Sequence, residues 1–242
     1  MPTFDKGQEP LFAREGLFRQ KLNQLRTTGN VGQQRNVPMD NQARLKELEK
    51  GSYLHNAKEN FVKNDPQHAE RVALLDSPTD LYNRNTIEKA IKEEWKRAKR
   101  YKHNLGLLVI SVDLLDNAIK SHGQAAGDSI LQGVANFLMS QIRDVDVPGR
   151  YDTNAFLILC PETDAKGVGV LAERIKNKIM LTRVSDIGQN WHVTVSQGIA
   201  GFPGTSQRAE ELINEALMAS NKAKQNGGNQ IVIAGAQEQE QA

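Results

Sequence analysis

The chain is poor in the residues that hold many small proteins together. Its 242 residues include one cysteine, Cys160, so no disulfide framework can form. Cys160 ends the apolar run Phe156-Leu-Ile-Leu-Cys160 and reads as a buried strand residue in a reduced protein. The five histidines, His55, His68, His103, His122 and His192, have no ligand spacing, which argues against a metal site. No run approaches the roughly 20 apolar residues that span a bilayer. Met1 to Lys6 lacks the charged head and apolar stretch of a signal peptide. The net charge is only +2 with both signs interspersed, so the totals argue for neither nucleic acid nor membrane as a partner. The expectation is a soluble cytoplasmic protein. What is present, 38% apolar and 25% charged residues, suits one core with a solvated surface, and the length suits one domain plus an appendage.

Residues 1–40 differ from the rest. They carry scattered glycine and proline and one amphipathic stretch, with Leu11, Phe18, Leu22 and Leu25 at helical spacing. We expect a flexible segment whose short helix, within residues 10–26, folds back on the domain or docks on a partner protein. Residues 41–75 read as a helical stalk interrupted at Gly51. Residues 76–235 are well patterned. A stripe of Ile87, Ile91, Trp95 and Ala98 predicts a helix, with Glu93 and Arg97 as a solvent-side pair. Leu107–Val112 predicts a buried central strand. Ile130, Val134, Phe137, Leu138 and Ile142 predict a second helix. Val147–Tyr151 and Phe156–Cys160 predict a hairpin about the turn Asp152–Ala155. A helix through Val168 and Ile179, a strand at Val193–Ala200, a helix at about 210–225 and a strand at Gln230–Ile233 complete the order β-α-β-β-α-β-α-β, with one helix in front. Residues 236–242 read as a disordered tail.

Five segments in this order resemble the GGDEF family, the diguanylate cyclases, over about two thirds of the chain. They are Asp76-Ser-Pro-Thr-Asp-Leu-Tyr-Asn83-Arg84, Gly123-Gln-Ala-Ala-Gly127-Asp128, Arg150-Tyr151 with Phe156, Val193-Thr-Val-Ser-Gln-Gly198, and Ala223-Lys224-Gln-Asn-Gly227-Gly-Asn229. The resemblance implies an α+β palm fold. A central, mostly antiparallel five-stranded sheet is flanked by helices and preceded by a helical extension.

The same resemblance places the family's metal carboxylates at Ser111, Asn154 and Ala155, none of which is an acid. A hydroxyl and an amide do not supply the charge that holds Mg²⁺ between two triphosphates. The guanine-reading Asn of the family falls at Ile119, and its glycine pair at Asp152 and Thr153. Asp128 and Lys224 match family positions and read as structural survivors, while Asp113 reads as a strand-end cap. The expectation is a degenerate domain with no catalytic residue, no metal and no cofactor.

Many family members carry an inhibitory site for cyclic di-GMP marked R-x-x-D, five residues before the signature. Arg143-Asp-Val-Asp146 followed by Val147–Tyr151 has that spacing; a second copy, Arg183-Val-Ser-Asp186, does not. A further arginine of that site falls at Arg174. Arginine forms bidentate bonds to phosphate or guanine, and aspartate accepts from guanine N1–H and N2–H. An i,i+3 pair in a helix-ending turn presents both on one face. The implied function is a non-catalytic cyclic di-GMP receptor that acts through a protein partner, with ligand-linked homodimerisation. The alternative is a ligand-free interaction scaffold in which Arg143 pairs with Asp146 in a surface salt bridge, and Arg174 with Glu173 or solvent.

Overall fold

The computed structural model describes residues 72–185, 190–204 and 206–235, together with Asn23, Gln24 and Arg26. The expected stalk up to residue 71, the tail of 236–242 and Asp186 lie outside the described residues. So does the amphipathic segment, apart from those three, which are helical, with Arg26 donating to Asn136 Oδ1 at 2.5 Å.

Helix α1 runs Arg84–Tyr101. Asn83 starts it because its side chain accepts from the Thr86 N–H at 3.0 Å, satisfying an amide that has no helical partner. Lys102 stops it in the left-handed region. The expected stripe is the buried face. The expected Glu93–Arg97 pair does not form. Arg97 instead reaches the half-sheltered Glu94 at 2.9 Å, and Glu93 takes Lys96 at 3.1 Å. Neighbours at i,i+3 were as close as those at i,i+4, and Glu94 is the less exposed acid.

The sheet has five strands, in the order β2 (Val147–Asp152), β3 (Ala155–Pro161), β1 (Leu105–Val112), β4 (Val195–Phe202) and β5 (Ile231–Ile233). Strand β1, Leu105–Val112, is buried along its whole length and pairs antiparallel with β3 and β4. Strands β2, Val147–Asp152, and β3, Ala155–Pro161, form the expected hairpin. Strand β4 runs Val195–Phe202, and β5, Ile231–Ile233, lies parallel to it at the edge. The fold is α+β with a mixed, mostly antiparallel five-stranded sheet.

One helix was not anticipated. Between β1 and β2 the chain forms α2, Leu115–His122, and α3, Gln124–Gln141, separated by Gly123 at φ 83°. Only Leu115 and Ala118 of α2 are buried, too short a stripe to register as periodicity. Helix α4 is Ala165–Ile179, started by Asp164, which accepts from the Gly167 N–H at 2.7 Å. Helix α5 is Ala209–Gln225. Alternation along β1 sorts the layers: Gly106 faces Val168 of α4, while Ser111 on the opposite face meets Ser220 of α5. Helices α1 and α5 therefore cover one face and α4, backed by α3, the other. Among the described residues, no helix is long and apolar enough to cross a membrane.

Candidate ligand-binding site

Two places on this frame carry the residues singled out in the sequence. The first is the hairpin turn. Thr153 and Asn154 form its tip, with Asp152 opposite Ala155, and Asp152 Oδ1 accepts from the Thr153 N–H at 2.7 Å. Beneath it lies Arg150, only 8% exposed, whose guanidinium donates to the Thr153 carbonyl and sits 4.9 Å above the Phe156 ring. Burial lowers its pKa, and the charges of Asp76, Asp152 and Asp128 oppose the shift.

Ser111 and Ala155 are cross-strand partners beside this turn, and both are buried. Ser111 Oγ is 3.0 Å from Ser220 Oγ, and Ser220 donates onward to the Ser196 carbonyl at 3.3 Å. The nearby carboxylate, Asp113, accepts from Thr194 Oγ1 at 2.8 Å, Ser196 Oγ at 2.7 Å and the Asn229 N–H at 3.0 Å. It ties the end of β1 to β4 and to the loop before β5, which is the cap role expected of it. A divalent cation prefers several anionic or carbonyl oxygens. The donors here are a hydroxyl spent on another hydroxyl, an amide and a methyl, so this set does not fit one. Among the described residues no cluster of three or more His, Cys, Asp or Glu is placed to hold a metal.

The second place is the end of α3. Ile142 leaves the helix with extended backbone, and residues 143–146 form a turn in which the Asp146 N–H donates to the Arg143 carbonyl at 3.2 Å. The Asp146 carboxylate returns a bond, accepting from the Arg143 N–H at 2.8 Å. The helix has thus already ended before the R-x-x-D residues, and their spacing is that of a turn and not a helix face. Asp146 points inward, 3% exposed, while Arg143 is exposed. Arg174, on α4, donates to the Gln141 carbonyl at 2.6 Å, one of the carbonyls that the end of α3 leaves without a helical partner. Glu173 pairs with Lys176 instead. Arg143, Asp146 and Arg174 line one cavity of about 190 Å³, with Cys160 at its floor and Val168 and Leu171 on its α4 wall.

Residues 73–230 match the family described as "Diguanylate cyclase, GGDEF domain". The chain belongs to the GGDEF family. It is 29% identical over 133 residues to Diguanylate cyclase A of Treponema denticola, covering 55% of this chain and 36% of that protein. It is 27% identical over 174 residues to the response regulator PleD of Caulobacter vibrioides, covering 71% of this chain and 38% of PleD. The aligned region is thus little more than a third of either relative. Among solved structures, the fold is similar to the GGDEF domain of DgcB from Caulobacter crescentus in complex with c-di-GMP. That likeness has a TM-score of 0.63 at 22% identity, covering 68% of this chain and 94% of that one. The diguanylate cyclase SiaD in complex with its activator SiaC from Pseudomonas aeruginosa gives a TM-score of 0.64 at 23% identity, covering 89% and 87%.

Within the GGDEF domain, several of the remaining motif residues have local structural partners. Ile119 of α2 lies against α3, so close to Gly127 that a Cβ there would stand 2.5 Å from Ile119 Cγ1. Asp128 sits in the second turn of α3 and accepts from Gln124 Nε2 at 2.8 Å. Lys224 is half-exposed in the last turn of α5. Asp76 binds the Thr79 hydroxyl at 2.7 Å in the opening segment. In the second copy of the motif, Arg183 donates to Asn190 at 3.3 Å, in the loop after α4. The sequence reading missed Cys160 as a cavity residue. The sequence carried no signal for it, because a bulge between Arg150 and Asp152 shifts the hairpin register by one residue, to Val147 opposite Leu159.

Proposed function

We propose that this GGDEF domain is a non-catalytic receptor for cyclic di-GMP, bound at the cavity of Arg143, Asp146 and Arg174, and that it signals through a protein partner. The observation that carries the reading is the convergence of these three side chains, from the α3–β2 turn and from α4, on one concavity. Their chemistry suits the ligand. Two guanidinium groups answer two phosphates or the O6/N7 edge of guanine, and one carboxylate answers guanine N1–H and N2–H. The absence of acids at Ser111, Asn154 and Ala155 supports the non-catalytic part. The c-di-GMP complex of the DgcB domain and the SiaC complex of SiaD supply precedents for ligand and protein partner among similar folds.

At about 190 Å³ the cavity is smaller than the roughly 300–1,000 Å³ of pockets that enclose a small molecule. It has room for one part of the ligand and leaves the rest exposed for a second surface, which favours a ligand-linked dimer. Titration calorimetry with cyclic di-GMP tests the reading. The wild-type chain is expected to bind, and Arg143→Ala to weaken binding by roughly ten- to a hundredfold, the worth of a charge-assisted hydrogen bond. No heat at near-millimolar ligand, or an unchanged affinity in the variant, overturns it.

One observation favours the scaffold alternative, in which no nucleotide binds: Arg174 is already engaged with the Gln141 carbonyl. The two readings part on Arg174→Ala. The receptor loses affinity, whereas the scaffold loses only a bond at the end of α3.

A further inference from the structure

Helix α4 buries one stripe, Val168, Leu171, Ala172, Ile175 and Ile179. Its other positions are small, polar or charged, with one exception. Val170 lies off the stripe and is 69% exposed, in a helix interior where a β-branched side chain lowers helix propensity. Neither the core nor the helix accounts for it. Its place beside the proposed ligand site does. Val170 lines the cavity of Arg143, Asp146 and Arg174, and its exposure puts it at the mouth. Arg174 follows at i,i+4, one turn along the same side of α4. Leu171, 8% exposed, continues the apolar surface inward, and Gly167 adds no side chain to it. The α4 wall is thus a low apolar step that ends in a guanidinium. The α3–β2 turn, with Arg143 and Asp146, forms the other side of the cavity.

We infer that Val170 is a ligand-contacting residue of this site, where its isopropyl group, with Leu171, receives one face of a guanine. The inference rests on the cyclic di-GMP reading given above. A purine carries its hydrogen-bonding groups on its edge, so a carboxylate and arginines that meet the edge leave the two faces unserved. Small-molecule sites meet such faces with apolar walls and place a few polar groups around them. Here the wall and one of the polar groups, Arg174, come from the same helix a turn apart. Binding then moves the Val170 side chain from water onto the base, and the gain follows the apolar area that leaves water.

Because Val170 stands outside the core, truncating it separates binding from folding. Val170→Ala is expected to weaken cyclic di-GMP by about three- to tenfold in titration calorimetry, with the urea midpoint of wild type. An unchanged affinity, or a lowered midpoint that makes Val170 a packing residue, overturns the inference and leaves the receptor reading standing. Absence of binding by the wild-type chain overturns that reading itself. A second measurement reads the contact directly. The chain's one cysteine, Cys160, is 1% exposed, so the thiol introduced by Val170→Cys is the one open to iodoacetamide. Saturating cyclic di-GMP should slow its alkylation severalfold. It should not slow that of the thiol introduced by Met218→Cys, at an exposed position of α5 across the sheet. Equal rates at position 170 with and without ligand, or equal slowing at both positions, overturns the inference.

Discussion

A carboxylate placed at position 111 would enter a space that two serines already fill. Ser111 is 2% exposed and its hydroxyl lies 3.0 Å from that of Ser220. A new charge there would shed its water and gain one hydroxyl donor at most. Ser111→Asp is therefore expected to lower stability by about 2–4 kcal/mol, measured by urea denaturation at neutral pH. A second prediction concerns Cys160, whose thiol is pushed well above its ordinary value by burial and then by the Asp146 charge. As pH rises past the ordinary thiol value, the unfolded chain sheds a proton that the folded chain keeps. The folded state then binds more protons, and stability falls with a slope approaching about 1.4 kcal/mol per pH unit until the folded thiol titrates. Cys160→Ser should flatten that slope in denaturation curves collected between about pH 8.5 and 10.5. At this scale the sequence was informative about which residues gather and silent about where they point. Spacing selected Arg143 and Asp146, because the signature turn measures the distance. That Asp146 faces inward and Arg143 outward depends on the turn after Gln141, and a helix-face argument has no access to it.

Helix α5 lies against β4 at Gly198 with no room for a side chain. A Cβ at that position would stand 2.1 Å from the Ala216 carbonyl oxygen and 2.2 Å from the Ser220 nitrogen. These are backbone atoms of a helix and cannot turn aside. Gly198→Val is expected to push the helix off the sheet, part the Ser111–Ser220 pair and cost upwards of about 3 kcal/mol. A lower urea midpoint at unchanged slope would report it, and a midpoint within error of wild type would contradict it. The elements themselves were largely legible, because buried strands and amphipathic helices of three turns or more leave a strong period. The element missed, α2, buries two residues and reads as a loop. The β4 boundary slipped by two residues, since the alternation of Val193 to Ser196 continues through Thr194, whose hydroxyl and carbonyl are both engaged by Asp113.

For the whole molecule, two solution measurements follow from the proposed function. Incubated with GTP and Mg²⁺, the chain should form no cyclic di-GMP above a protein-free blank, and robust turnover would refute the non-catalytic assignment. With cyclic di-GMP, sedimentation should shift from monomer toward dimer in the wild type and remain unshifted in Arg143→Ala. The sheet's own geometry sets a further boundary. The β2 edge is engaged by Tyr82, which bridges Gly149 and accepts from the Arg150 N–H at 2.7 Å. At the other edge, β5 is three residues long and, among the described residues, pairs only with β4. Among the described residues, the β2 edge is bridged at Gly149 and the β5 edge is the one with no strand beside it. Two copies joined at that short edge about a two-fold axis would pair their β5 strands with each other and leave neither free to template a third.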